Sequence, residues 1–318
     1  MGTSVFIDGA AGTTGIEIAE RLAGRGEFVV IALSDDRRKD DAARAEALNE
    51  ADFAILCLPD EAAIAAVGMI RNDRTRVIDA STAHRVADGW TYGFPELVGT
   101  DAVGAAARVA NPGCYPTGFL GLVAPLVRAG LIPADWPYAC HAVSGYSGGG
   151  KAMIAMYEAD DGDEPMPAFR AYGLHGGHKH LPEMQAHAGL ARVPLFAPAV
   201  VPTFRGMMVE VALPASTFGG ATADDLRDAL AAFYADSPIV SVQPAAPDMG
   251  ALLLPAGMEP WDGMDLHVFG GRQGEQARLI AVLDNLGKGA SGAALQNLNV
   301  MAGLPGETGL RLAHAIPA

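Results

Sequence analysis

The sequence predicts an α/β protein of two domains in series: an open unit of alternating strands and helices, then an antiparallel-rich α+β domain. Three observations carry the prediction. Short apolar runs alternate with helical runs through the first hundred residues, and glycines mark the strand ends. Beyond residue 200 the pattern changes to several strands with few helices among them. A chain of 318 residues is also longer than one ordinary domain. The composition suits a turn-rich enzyme, with 50% hydrophobic residues, 19% charged residues and 39 glycines.

Val5, Phe6 and Ile7 form the first apolar run, followed by Asp8-Gly9-Ala10-Ala11-Gly12-Thr13-Thr14-Gly15 and a helical pattern through Ile16, Ala19 and Leu22. In that order Gly9 permits a tight turn, Gly12 lets a pyrophosphate approach the backbone, and Gly15 lets helix and strand pack closely. The spacing is GxxGxxG, and the apolar run at residues 28–33 completes the βαβ unit that gives it meaning. Ser34, Asp35, Asp36, Arg37 and Arg38 stand at the end of that second strand. A hydroxyl and two guanidinium groups suit a 2′-phosphate, so the expected cofactor is NADP in preference to NAD. Alternation continues with a strand at 54–59, a helix at 60–70 and a strand at 77–80, and Cys57 reads as an inert core thiol. Ser81 and Thr82 lie at the carboxyl edge where open α/β sheets bind ligands. Arg85 follows, either to meet a substrate anion or to tie its loop down.

The stretch Asn111-Pro112-Gly113-Cys114-Tyr115-Pro116 places a cysteine between a strand and an apolar helical run. The free N–H groups of such a helix start favour thiolate and can cradle an oxyanion. A further strand at 138–143 ends in Ser144-Gly145-Tyr146-Ser147-Gly148-Gly149-Gly150-Lys151, a backbone able to approach a ring or an anion, with Ser144, Ser147 and Lys151 as donors. Its plainer reading is a mobile surface loop. An acidic segment at 158–167 reads as exposed. Next comes His175-Gly176-Gly177-His178-Lys179-His180-Leu181-Pro182-Glu183. No cysteine or carboxylate pair completes a metal-binding spacing, so no metal is expected, and one imidazole suits acid/base work for the thiol. Arg205 sits on a turn before the alternating strand at 207–213. A helix at 223–236, strands at 239–242, 266–269 and 279–283, and a helical run at 293–301 complete the pattern.

Net charge is −15 without a basic tract, which argues against nucleic acid and anionic membrane partners. Apolar runs are too short to span a membrane, and the N-terminus lacks the pattern of an export signal, so a cytoplasmic protein is expected. Three widely spaced cysteines make no disulfide framework.

These motifs, together with Cys57-Leu58-Pro59-Asp60, Asp79-Ala80-Ser81-Thr82, Tyr92-Gly93-Phe94-Pro95-Glu96-Leu97 and the glycine turn at 287–292, resemble the N-acetyl-gamma-glutamyl-phosphate reductase family of arginine biosynthesis, in its shorter variety. The similarity runs along nearly the whole chain. It implies a Rossmann-type nucleotide-binding domain plus an α+β catalytic and dimerisation domain like that of glyceraldehyde-3-phosphate and aspartate-semialdehyde dehydrogenases. The expected boundaries are residues 1–113, completed by a C-terminal helix at 288–318, and residues 114–287. The resemblance implies Cys114 as nucleophile towards a small acyl phosphate and a histidine of the His178–His180 pair as acid/base; which one acts stays open, with His180 preferred. Ser144, Lys151, Lys179, Arg205 and Arg85 are the expected substrate-binding residues, and Lys179 stands where many relatives carry arginine. Ala11, Thr13, Thr14, Leu58, Pro59, Ser81, Gly145, Gly148, Lys288 and Asn297 join Gly9, Gly12, Gly15, Ser34, Arg37 and Arg38 as expected cofactor contacts. A homo-oligomer, dimer or tetramer, is expected. The competing readings are an aspartate-semialdehyde dehydrogenase-like enzyme and a non-catalytic dinucleotide sensor in which Cys114 is structural.

Overall fold

In the computed structural model, residues 2–159, 166–271 and 274–313 are described. The expected acidic segment at 158–167 lies largely outside them, as does the end of the expected C-terminal helix. The chain divides into two compact units, Met1–Gly113 with Ala290–Leu310, and Cys114–Gly289 with Arg311–Ala318.

The first unit runs β1 (Thr3–Asp8), α1 (Thr13–Leu22), β2 (Phe28–Ile31), α2 (Asp41–Glu50), β3 (Phe53–Leu56), α3 (Asp60–Met69), β4 (Arg76–Asp79), β5 (Thr91–Tyr92), α4 (Pro95–Val98), α5 (Thr100–Ala105) and β6 (Arg108–Ala110). Its six strands pair in the order β2-β1-β3-β4-β6-β5, every pair parallel. Parallel strands are buried on both faces, which is why they read as unbroken apolar runs. Val5, Ile7, Ile55 and Ile78 face one core with Ile18 and Leu22, while Phe6, Leu56 and Val77 face the other with Leu48 and Ala63. The chain reverses its direction of travel across the sheet between β1 and β3, and dinucleotides bind above such a switch point.

The second unit runs α6 (Cys114–Arg128), β7 (Ala139–Gly145), α7 (Gly150–Glu158), β8 (Arg170–Ala171), α8 (Leu181–Ala188), β9 (Leu195–Val201), β10 (Met207–Pro214), α9 (Ala223–Phe233), β11 (Val240–Val242), β12 (Met264–Gly270) and β13 (Gln276–Leu283). Its mixed sheet has the order β11-β12-β13-β10-β7-β9-β8. Helix α6 is buried over nearly its whole length. Two glycines let it approach the sheet: a Cβ on Gly118 would stand 2.8 Å from Val209, and one on Gly121 would stand 2.6 Å from Met264. Pro125 lies inside α6 and cannot donate to the carbonyl four residues back. The Tyr234 hydroxyl takes over that acceptor, donating to the Gly121 carbonyl at 3.0 Å.

A π-helical turn at Gly287–Ser291 leads into α10 (Gly292–Met301), buried on all sides in the first unit with Leu295 and Leu298 in its core. The C-terminal helix is therefore shorter than the expected 288–318, because Gly303, Pro305 and Gly306 interrupt helical backbone soon after Met301. No helix among the described residues is long and apolar enough to cross a membrane.

Candidate active site

Cys114 is the first residue of α6, so its sulfur stands beside helix N–H groups that lack intrahelical partners. The backbone of Gly289 presses against it: a Cβ there would lie 2.9 Å from the Cys114 Cβ and 3.1 Å from the Asp284 carbonyl oxygen. Only glycine fits that gap.

An aromatic cluster surrounds the histidines of the same unit. Tyr172 donates its hydroxyl to the Tyr115 hydroxyl at 3.1 Å, and Tyr115 donates to the Ala199 carbonyl at 3.2 Å. Burial, and then the charge of a Cys114 thiolate, pushes the Tyr172 hydroxyl up to about 12, and burial first raises Tyr115 too. Both phenols therefore stay protonated and act as donors. The ring of His178 meets Phe196 at 5.0 Å, His180 at 4.7 Å, Tyr172 at 5.8 Å and Tyr115 at 6.1 Å. The backbone N–H of His180 donates to His178 Nδ1 at 3.2 Å, which places the proton of the neutral ring on Nε2. Burial, with the Lys179 charge second, lowers the His178 pKa to about 4. His180 is buried at the N-terminal end of α8 and lies 6.0 Å ring to ring from Tyr115.

The glycine loop after β7 is pinned, which corrects the reading of a mobile surface loop. Gly145, Tyr146 and Ser147 donate backbone N–H groups to the carbonyls of Gly206, Thr203 and Phe204. Cβ atoms on Gly145 would collide with the Thr203 and Phe204 carbonyls, and Gly148 leaves room for the buried Ser144 hydroxyl. Asn285, which the sequence reading did not select, ties the loop from below by donating to Ser147 Oγ at 2.8 Å and accepting from the Gly206 N–H at 2.9 Å. Arg205 pairs with fully buried Asp284 at 2.9 Å. Lys151 and Lys179 are exposed, and Lys288 is buried.

In the first unit, Gly9 has φ of 89° and sits against the Cys57 carbonyl, where a Cβ would come within 2.3 Å. Gly15 packs on Gly9 just as closely, at 2.4 Å from its carbonyl oxygen. A cavity of about 540 Å³ beside this turn is lined by Gly9, Ala11, Leu58 and Arg38 of the expected set, and by Lys39 and Arg44, which were not among the expected cofactor contacts. Arg44 is held by Asp8 and Asp41 at 2.9 Å each. Arg37 lies outside this lining and pairs with Glu46 at 3.0 Å, while Ser34 hydrogen-bonds Asp36. Cys57 lies just past β3, half-buried, and burial pushes its thiol up to about 12.

Arg85 resolves towards tying down: it is buried and donates to the carbonyls of Asn111 at 2.9 Å and Ala80 at 3.3 Å. Ser81 is held by buried Asp79, which also accepts from His84 Nδ1 at 2.6 Å. Asn297 is fully buried and donates Nδ2 to the Gly93 carbonyl and to Asn111 Oδ1. Its Oδ1 has no hydrogen-bond partner among the described residues. An unpaired buried acceptor, a glycine turn shaped for pyrophosphate and the cations Arg38, Lys39 and Arg44 in the adjoining cavity fit a nicotinamide dinucleotide.

Residues 4–105 match the semialdehyde dehydrogenase NAD-binding domain, and residues 114–285 match the semialdehyde dehydrogenase dimerisation domain. The chain is 49% identical over 304 residues to an N-acetyl-gamma-glutamyl-phosphate reductase of Burkholderia lata, covering 94% of this chain and 96% of that one. It is 45% identical over 317 residues to N-acetyl-gamma-glutamyl-phosphate reductase 2 of Nostoc sp., covering 96% and 98%. Among solved structures it resembles aspartate semialdehyde dehydrogenase from Francisella tularensis, with TM-score 0.70, 14% identity and coverage of 94% and 99%. Aspartate semialdehyde dehydrogenase II from Vibrio cholerae gives TM-score 0.66 at 19% identity, covering 95% and 98%.

Proposed function

The chain belongs to the semialdehyde dehydrogenase family, and on that premise we propose that it reduces N-acetylglutamyl γ-phosphate to N-acetylglutamate γ-semialdehyde and phosphate, a step of arginine biosynthesis. The observation that carries this reading is Cys114 at the head of buried α6, pressed by Gly289, in one unit with the His178–His180 pair. An acyl phosphate carries a good leaving group, and a thiolate displaces it to give a thioester, whose carbonyl accepts hydride far more readily than a carboxylate does. The Cys114 sulfur attacks the γ-carbon, the carbon–oxygen bond to phosphate breaks, and the oxyanion is held by helix N–H groups at the start of α6. The dinucleotide, when bound, supplies the hydride. Breaking the carbon–sulfur bond then returns the Cys114 thiolate and releases the semialdehyde.

His180 is the acid/base in this reading. Supporting this, His178 has its Nδ1 lone pair occupied by an N–H and its Nε2 already protonated, so it donates a hydrogen bond and does not collect a proton. Arg205 and Lys179 are candidates within this unit for the substrate's anionic groups, while Arg85 is spent on carbonyls. NADP is favoured over NAD by Arg38 and Lys39 at the cavity beside the glycine turn. The protein works as a homo-oligomer in the cytoplasm.

The test follows reduced dinucleotide as N-acetylglutamate semialdehyde, phosphate and NADP react, with aspartate semialdehyde assayed alongside. Turnover confined to the glutamyl substrate is expected, and Cys114→Ser should abolish it while NADPH still binds. Substantial turnover by Cys114→Ser, or preference for the aspartyl compound, would overturn the reading.

A further inference from the structure

The cavity beside the glycine turn carries a buried charge that the reaction does not use. Asp8, the last residue of β1, stands immediately before Gly9, and its side chain is only 4% exposed. A carboxylate there opposes an anionic ligand, because pyrophosphate comes to the turn that follows it. Arg44 reaches from α2 and covers both carboxylate oxygens. Its Nε lies 3.2 Å from Oδ1 and 3.2 Å from Oδ2, and its Nη2 lies 2.9 Å from Oδ2. Among the described residues no other side chain hydrogen-bonds this carboxylate. The third guanidinium nitrogen, Nη1, donates to Asp41 at 2.9 Å, and Asp41 is 76% exposed.

We propose that Arg44 is the internal counter-ion of Asp8, and that cancelling this one charge is what allows an anionic dinucleotide to settle at the glycine turn. Two observations point to a counter-ion and away from a phosphate ligand. Every guanidinium nitrogen is already committed to a carboxylate, and Asp8, Arg44 and Asp41 together carry a net negative charge, so Arg44 has no positive charge left to offer. The other charges lining the cavity are Asp35, Arg38 and Lys39, which leave one excess cation only while Asp8 is cancelled. Losing Arg44 brings that balance to zero, in a chain whose net charge of −15 already repels anions. It also leaves a buried carboxylate uncompensated beside the turn. Arg44 therefore acts on the dinucleotide through Asp8, with no contact of its own. The inference rests on reading this unit as the dinucleotide site, in the stretch matched by the NAD-binding domain.

Fluorescence titration of the whole protein with NADPH and with NADH tests this without turnover. Arg44→Met should weaken NADPH at least about tenfold and NADH less, because the 2′-phosphate adds negative charge. Arg44→Lys keeps the charge without the fork and should stay within about threefold of wild type. Asp8→Asn should tighten NADPH by about threefold or more, and combining it with Arg44→Met should bring affinity back to within about threefold of wild type. A pair that merely anchors α2 gives the opposite sign: Asp8→Asn then weakens both dinucleotides, which overturns the proposal. Equal losses of NADPH and NADH in Arg44→Met, or an Arg44→Lys as weak as Arg44→Met, also overturn it. If Asp8→Asn or Arg44→Met fails to fold by circular dichroism, Asp41→Asn at the exposed end of the trio reads the same charge balance; tighter NADPH supports the counter-ion, and unchanged or weaker NADPH overturns it. A wild type that binds neither dinucleotide overturns the cofactor reading itself, whereas a wild type that binds NADPH with unmoved variants overturns only the counter-ion.

Discussion

Replacing Gly289 by Ala tests how Cys114 is aimed. The new Cβ would lie 2.9 Å from the Cys114 Cβ, 3.4 Å from its Cα and 3.1 Å from the Asp284 carbonyl oxygen. Carbon atoms rest at about 3.5–4.0 Å, so the contact is short by roughly 0.6–1.1 Å. The Asp284 side cannot give easily, because its carbonyl accepts from the Gly289 N–H at 3.0 Å and its carboxylate is buried against Arg205. Cys114 must therefore move. Overpacking of this kind costs about 1–3 kcal/mol of stability, and a nucleophile displaced by about 1 Å loses on the order of 100-fold in rate. At about 1.4 kcal/mol per tenfold, that loss is roughly 2.7 kcal/mol of transition-state stabilisation. The assay is kcat/KM with the semialdehyde, alongside thermal unfolding and NADPH affinity. A fall of about 10- to 100-fold in kcat/KM with NADPH affinity intact is expected. Gly250→Ala, where a Cβ meets nothing within 4 Å, should change neither. Wild-type kcat/KM in Gly289→Ala would refute the claim that this close approach places the sulfur.

Replacing Arg38 and Lys39 together by Ala should weaken NADPH binding by about 1–3 kcal/mol while leaving NADH nearly untouched, as titration of dinucleotide fluorescence would show; equal losses for both would remove the 2′-phosphate argument. His178 has its pKa lowered from 6.5 to about 4, so the unfolded chain takes up that proton first as pH falls. Its share of stability is complete above about pH 6.5 and is lost towards about pH 4. Urea midpoints should decline across that window and decline less in His178→Gln; identical slopes would mean that the buried ring does not resist protonation. Tyr234→Phe should cost about 1–3 kcal/mol by stranding the Gly121 carbonyl, and little in a Pro125→Ala background where an amide returns to it. A double-mutant cycle on thermal stability checks this, and additive costs would show that the hydroxyl does not stand in for the missing amide.

Much of the chain is legible because its signals are local. The strand, glycine turn and helix at residues 3–22 follow from periodicity and from the steric demands of Gly9 and Gly15. Cys114 at a helix start follows from the strand before it and the apolar run after it. Strand β9 is hard to see because Pro198 lies in its middle, and a proline normally argues against a strand flanked on both sides. It survives because Tyr172 uses the Pro198 carbonyl, leaving only one donor missing. Helix α2 is rich in alanine and charge with little apolar periodicity, and its place is fixed by Arg44 reaching Asp8.

The sequence by itself determined the reaction class, since the cysteine, glycine and histidine motifs are short and their chemistry depends on residue type. Only the tertiary structure decided which polar groups are already committed. Arg85 is spent on two carbonyls, Arg37 on Glu46, Arg205 partly on Asp284, and His178 Nδ1 on the neighbouring amide. Arg44 and Asn285 gained roles through partners distant in sequence. The physical reason is that a side chain's availability depends on which donors and acceptors fold against it, and those come from parts of the chain that no local pattern connects.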